Sequence, residues 1–270
     1  MTVTYRGRKA AFFDIDGTLI NVMRGQIRMT PAVREAIADL RRAGNYAFLA
    51  TGRPYGLLDP ELLQDVFDGM LLVNGAEVRF HDEIIIRKPL TPQTVADVTA
   101  LCDRCGVEYI LEGSDYVYMK KEFHILHDFF RKIGVAFDRF RYTYDLNEVP
   151  VYKMEFVSAE PGGNGAFDVM MHWPGMAHLC DPYHMKNMEL YAENVTKGSA
   201  VKKVLQYLGL PREASYAFGD GLNDLEMMSS AGTALVMGNA QPALKEKADI
   251  IVPSVDDDGV AYGIRRYILS

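Results

Sequence analysis

The chain is poor in cysteine, short of positive charge and without a long apolar run. Three cysteines in 270 residues exclude a disulfide-stapled scaffold and fit a reducing compartment better than a secreted one. Lys and Arg number 29 against 36 Asp and Glu, a formal net charge of −7. An acidic chain repels a phosphate backbone, so a dedicated nucleic-acid binder is not expected. The longest uncharged stretch, Met227 to Leu244, is broken by Ser, Gly, Asn, Gln and Pro. It reads as turns and a short strand rather than a membrane span. Met1 to Lys9 is polar and basic, and no signal-type apolar run follows it. The expected setting is the cytoplasm, with no membrane and no nucleic acid as partner; oligomeric state is not legible. Hydrophobic residues make up 49% and charged residues 24%, enough apolar surface to exclude disorder and to build one large domain or two modest ones.

Both ends of the chain alternate strand and helix. Ala10 to Phe13 is a short apolar run that stops at Asp14, as a buried parallel strand does. Thr30-Pro31 reads as an N-cap with Pro at the first helical position, and Val33, Ile37 and Leu40 follow at helical spacing up to a stop at Gly44. Tyr46 to Ala50 and Met70 to Val73 are further strands. Near the end come a helix over Ser199 to Leu208, a strand at Tyr216 to Phe218, a helix beginning with Leu225 and Met228, and strands at Ala234 to Met237 and Ile250 to Val252. This alternation predicts an α/β fold, a doubly wound, Rossmann-like parallel sheet. The middle is more aromatic and antiparallel in pattern. Strands are expected at Glu83–Arg87, Val107–Leu111, Tyr116–Met119, Tyr152–Val157 and Met176–Cys180. Helices are expected at Pro92–Cys105, Lys121–Ile133 and Gly165–Met171. The expected organisation is a core of residues 1–81 and 188–270 with an inserted α+β domain of residues 82–187.

In an open parallel sheet, ligands bind beyond the carboxyl ends of the strands. Four such ends carry Asp14-Ile15-Asp16-Gly17-Thr18, Thr51-Gly52-Arg53, Asn74-Gly75 and Gly219-Asp220-Gly221-Leu222-Asn223-Asp224. Lys197 opens the helix before the fourth. Asp14, Asp16 and Asp220 would repel one another in one crevice unless a cation held them ionised. A hard divalent ion with oxygen ligands does so, and Mg²⁺ prefers few carboxylates together with a substrate phosphate oxygen. Thr51, the Gly52 N–H and Lys197 offer donors to an anion, so the site reads as metal plus phosphate. A lysine at a helix N-terminus opposes the helix dipole, which itself argues for an anion nearby. Asn74-Gly75 also fits a plain turn.

The run Asp14-Ile15-Asp16-Gly17-Thr18-Leu19 matches the DxDGT(L) signature of the haloacid dehalogenase superfamily. Thr51, Lys197 and the GDGxND run at Gly219 to Asp224 match its other motifs in order. Ala231-Gly232, Met237-Gly238-Asn239-Ala240 and Asp257-Asp258-Gly259-Val260-Ala261 resemble the Cof-like subfamily, as does the large insert, where that subfamily carries an α/β cap. The resemblance implies Mg²⁺-dependent hydrolysis of phosphomonoesters of small metabolites, sugar phosphates first. It implies Asp14 as nucleophile forming an aspartyl-phosphate and Asp16 as general acid and then base. It implies metal ligation by the Asp14 and Asp220 carboxylates and the Asp16 carbonyl. The phosphoryl group would be held by Thr51, Gly52, the Ile15 N–H, Lys197 and Asn223, with Asp224 orienting Lys197 or the metal shell. Arg53 is either a phosphate or substrate contact or a surface charge. A phosphomutase with the same chemistry, or a phosphate-binding module without turnover, remains as an alternative.

Other groupings read as structure. Cys102 and Cys105 sit three apart on a helix with no second pair, which suits buried side chains better than a metal. His124, His127 and Asp128 suit packing and capping on an aromatic-rich helix. His184 and Lys186, in the segment Tyr183 to Asn187, are candidates for contact with a polar substrate portion, or a solvated loop.

Overall fold

The computed structural model describes residues 7–60, 62, 66–132, 135 and 137–270. They divide into two compact units, one of Met1–Gly52, Leu58–Arg87 and Thr196–Ser270, the other of Arg53–Leu57 and Lys88–Val195.

The first unit is built on one eight-stranded sheet. Its strands are β1 (Ala10–Phe13), β2 (Tyr46–Ala50), β3 (Gly69–Leu72), β4 (Glu77–Phe80), β5 (Glu83–Arg87), β12 (Ser215–Gly219), β13 (Thr233–Met237) and β14 (Ile250–Val252), in the order β14-β13-β12-β1-β2-β3-β4-β5. From β14 to β3 every pairing is parallel; β4 and β5 add an antiparallel hairpin at the edge. The chain builds outward from β1 in one direction and from β12 in the other, so the switch in strand order falls between them, where such sheets bind ligands. Every residue of β1, β12 and β13 is buried, which accounts for their unbroken apolar character. Phe13 stacks on Phe218 across that switch at 4.9 Å, and Phe12 on Phe48 at 5.2 Å.

Helices α1 (Pro31–Arg42), α5 (Lys197–Leu208), α6 (Leu225–Ser230), α7 (Pro242–Lys245) and α8 (Gly259–Gly263) complete this unit. The start of α1 is fixed by the Thr30 hydroxyl, which accepts from the Val33 N–H at 3.2 Å, with Pro31 at the first helical position. In α5, Thr196 and Ser199 form a reciprocal capping box and Gly209 ends the helix in the left-handed conformation. Val201, Val204 and Leu205 of α5 join Phe12, Phe48, Leu71 and Met227 in one apolar cluster, so this helix is anchored by burial along one face.

The second unit carries a six-stranded sheet of β6 (Glu108–Glu112), β7 (Val117–Tyr118), β8 (Phe140–Arg141), β9 (Lys153–Val157), β10 (Met176–Cys180) and β11 (Asn187–Ala192), ordered β10-β11-β9-β6-β7-β8. All its pairings are antiparallel except β7 with β8. Helices α2 (Pro92–Cys105), α3 (His124–Lys132) and α4 (Ala166–Met171) belong to it. Leu111, Met154, Phe156 and Leu190 share an apolar cluster with Val98, Cys102, Phe130 and Phe167. The expected helix end at Ile133 lies outside the described residues.

The unit boundaries differ from those expected. Residues 82–87 belong to the core sheet, because β5 pairs with β4 and β4 with β3. Residues 188–195 belong to the second unit, because β11 lies between β10 and β9. Both segments are hairpin strands, and a local alternation pattern does not say which sheet edge a hairpin will join.

Candidate active site

The site is assembled at the carboxyl ends of β1, β2 and β12 and at the first turn of α5. Asp14 is the first residue past β1, and its N–H still donates to the Phe218 carbonyl of β12 at 3.0 Å. The chain then turns tightly: Leu19 and Ile20 N–H both donate to the Ile15 carbonyl at 2.9 and 3.0 Å, and Gly17 N–H donates to Ile20 at 2.8 Å. This turn leaves Asp14 buried and Asp16 exposed. Gly17 is required by its φ of +83°, a region that side-chain-bearing residues rarely adopt.

Lys197 is fully buried. Its Nζ donates to Asp14 Oδ1 at 2.5 Å and to Asp224 Oδ1 at 2.7 Å. The other Asp224 oxygen accepts from the Asp220 and Gly221 N–H groups, both at 3.1 Å. One carboxylate thus closes the Gly219–Asp224 loop and fixes the lysine. Asp220 accepts from the Thr18 hydroxyl at 3.3 Å. Thr51, buried just past β2, is held from both sides of its backbone: its N–H donates to Leu71 at 2.8 Å and its carbonyl accepts from Asn74 at 2.9 Å.

Oxygen atoms of Asp14, Asp220 and Asp224 all lie within 4.8 Å of one another. Burial, then the Asp224 charge, push the Asp14 carboxyl up to about 8 although Lys197 opposes the shift. Burial and Asp224 likewise push Asp220 up to about 6, and the Asp16 charge adds to that. Burial alone would lower the Lys197 ammonium; Asp14 and Asp224 more than reverse it, so it stays charged. One lysine therefore does not balance these carboxylates. An oxygen-only donor set that is short of positive charge fits a hard divalent cation.

The 11–264 segment matches the family model of the haloacid dehalogenase-like hydrolases. The chain belongs to that family. It is 43% identical over 264 residues to the 5-amino-6-(5-phospho-D-ribitylamino)uracil phosphatase YcsE of Bacillus subtilis (strain 168), covering 97% of this chain and 96% of that one. Among solved structures, a hypothetical protein from Geobacillus kaustophilus HTA426 superposes with a TM-score of 0.86 at 26% identity, covering 98% of this chain and 100% of that one. The subclass IIB sugar phosphatase BT4131 does so with a TM-score of 0.78 at 25% identity, over 96% and 98%. This haloacid dehalogenase-like protein is a phosphatase of the Cof-like kind.

The structure brings Asp14, Asp220, Asp224 and Lys197 together, with Ile15, Asp16, Thr51 and Gly52 on the same strand ends. Asn223 is exposed on the loop between Asp220 and Asp224. Arg53 groups with the second unit, one residue beyond Gly52. His184 and Lys186 are exposed in the turn between β10 and β11, where His184 pairs with Asp181 at 3.1 Å. Cys102 is buried and both it and Cys105 are free thiols; burial raises Cys102 to about 12, which makes it unreactive. His127 stacks with Phe137 and with Tyr142, ring centroids 5.3 and 5.6 Å apart, a packing role. The α3 N-terminus is capped by Glu108, whose carboxylate accepts from the N–H groups of His124, Ile125 and Leu126.

Asn239 was not among the expected site residues. Its side-chain nitrogen donates to the Gly17 carbonyl at 2.8 Å and lies 3.4 Å from Asp220 Oδ2, while its oxygen accepts from Val255 N–H at 2.9 Å. It ties the Asp14 turn to the Asp220 loop. A polar residue two positions past the end of β13 was visible in the sequence, and the strand-end rule applied to that strand finds it. Among the described residues, no helix is long and apolar enough to cross a membrane.

Proposed function

We propose that the protein is a Mg²⁺-dependent phosphomonoesterase of the cytoplasm that acts on small phosphorylated metabolites through an aspartyl-phosphate on Asp14. The observation that carries this reading is the buried Lys197 bridging Asp14 and Asp224 at 2.5 and 2.7 Å, beside carboxylate oxygens clustered within 4.8 Å.

An Asp14 oxygen attacks phosphorus, and the ester P–O bond to the leaving group breaks. Asp16, exposed on the same turn, gives its proton to the departing alkoxide. It then takes a proton from water, which attacks the phosphoryl-aspartate, frees Asp14 and releases inorganic phosphate. Lys197, the Thr51 hydroxyl, the Ile15 and Gly52 N–H groups and Asn223 hold the phosphoryl oxygens, with Arg53 as a further contact. Asp224 orients Lys197. The Asp14 and Asp220 carboxylates and the Asp16 carbonyl would hold Mg²⁺, which supplies charge that screens Asp14 from its anionic substrate. Uncatalysed phosphomonoester hydrolysis requires a barrier lowering of about 20 kcal/mol or more, for which positioning and preorganised charge are the source.

The names of two of its relatives, a 5-amino-6-(5-phospho-D-ribitylamino)uracil phosphatase and a sugar phosphatase, support a phosphorylated sugar or polyol as substrate. The free cysteines suit a reducing compartment. The test is phosphate release from an aryl phosphate with and without Mg²⁺, followed by a panel of phosphorylated metabolites ranked by kcat/KM. Wild type should turn over and Asp14→Asn should not; equal release by both overturns the reading. An isomeric phosphate formed without free phosphate would identify a mutase instead.

A further inference from the structure

The turn after β3 is strained and is not explained by the motifs above. Val73, Asn74 and Gly75 are successive residues with φ of 48°, 54° and 92°. A β-branched residue in the left-handed region is disfavoured by about 1–2 kcal/mol, and such strain persists where surrounding structure imposes it. The turn is wedged between two parts of the phosphoryl site. On one side the Asn74 N–H holds the Thr51 carbonyl at 2.9 Å. On the other, a Cβ on Gly75 would fall 2.6 Å from Ala200 Cβ and 2.9 Å from the Thr196 carbonyl, in the first turn of the helix that carries Lys197.

The Asn74 side chain lies over Gly52. Its Oδ1 and Nδ2 stand 3.3 and 3.7 Å from the position a Gly52 Cβ would occupy. Oδ1 is buried and has no hydrogen-bond partner. An unpaired buried amide group normally costs about 1–3 kcal/mol. The two ends of a carboxamide are nearly the same size and exchange by a half-turn. With no donor holding Oδ1, a bound anion is free to select the rotamer that presents the NH₂ group.

We propose that Asn74 is a further phosphoryl-binding residue, its carboxamide donating to the substrate phosphate beside the Gly52 N–H. The inference rests on the phosphatase reading of the site. Glycine and aspartate both tolerate the left-handed backbone, so Asn74→Gly and Asn74→Asp remove the donor and keep the turn. The measurement is competitive inhibition by inorganic phosphate, with kcat and KM on an aryl phosphate in Mg²⁺ and a melting curve for each variant. Losing one hydrogen bond to a charged group corresponds to roughly tenfold or more in affinity. Asn74→Gly should weaken phosphate inhibition and raise KM by that factor, and Asn74→Asp should weaken both further by repulsion. Wild-type phosphate inhibition in either folded variant overturns the proposal; if Asn74→Gly melts early, Asn74→Asp decides. Failure of the phosphatase reading itself shows separately, as equal turnover by wild type and Asp14→Asn.

Discussion

The Asp220 carboxylate lies directly over Gly17: a Cβ placed on that glycine would stand 2.1 Å from Asp220 Oδ2. The missing side chain is what lets the loop after β12 approach the turn after β1. Gly17→Ala meets both this clash and a φ of +83°. It should lower stability by about 1–3 kcal/mol and displace Asp220, with loss of most phosphatase activity. Circular dichroism melts and aryl phosphate turnover check it. Wild-type kcat in the alanine variant would show that this contact is not needed.

Lys197 is shared by two buried carboxylates, Asp14 and Asp224. Removing one partner of a buried ion pair leaves uncompensated charge and typically costs 3–5 kcal/mol. Lys197→Met should therefore unfold at a lower denaturant concentration and lose activity. In Lys197→Met/Asp224→Asn the stability loss should be smaller than the two single losses added together, because the same interaction is counted in both. Chemical denaturation of the four proteins in the cycle measures this coupling.

Chelation should abolish turnover, and Mg²⁺ should restore it. Mg²⁺ should also raise the melting temperature, since a ligand that binds the folded state alone stabilises it by about 2.7 kcal/mol at a hundred times its Kd. Asp220→Asn should lose this Mg²⁺-dependent shift while retaining a cooperative melt. A shift of wild-type size in Asp220→Asn would remove Asp220 from the ligand set.

The second unit holds a buried lysine among glutamates. Lys153 Nζ lies 2.6 Å from Glu155 and 3.3 Å from both Glu112 and Glu189. Burial holds the Glu112 carboxyl well above its ordinary 4.5, and Lys153 only partly offsets this. A folded-state pKa above the unfolded one means that the proton stabilises the fold. That contribution is full below about 4.5 and is lost as pH rises towards the raised value, by up to about 1.4 kcal/mol per pH unit. Glu112→Gln should therefore gain stability relative to wild type as pH rises from 5 to 8. Melting temperatures across that range test the sign; a difference that stays constant or narrows would refute it.

Much of this was legible before the fold was known. β1, β2 and β13 are apolar runs, buried but for Tyr46 at the start of β2, and the polar residues just past the strand ends mark the site because a parallel sheet places them together. The caps at Thr30 and Thr196 show how local the helix signals are, although only the first was read. What escaped is non-local. Glu83–Arg87 and Asn187–Ala192 are edge or hairpin strands whose sheet is chosen by partners far away in sequence. Asn239 acts through hydrogen bonds to Gly17 and Val255, and nothing near it in the chain announces those partners. The left-handed course of Val73 runs against its own propensity, so only the fold could reveal it.

Asp14 meets its ammonium 183 positions later in the chain. During synthesis from the amino end, β1 and its acidic turn are made long before the helix that neutralises them. An amino-terminal fragment that ends before that helix therefore carries the acidic turn without the lysine that neutralises it.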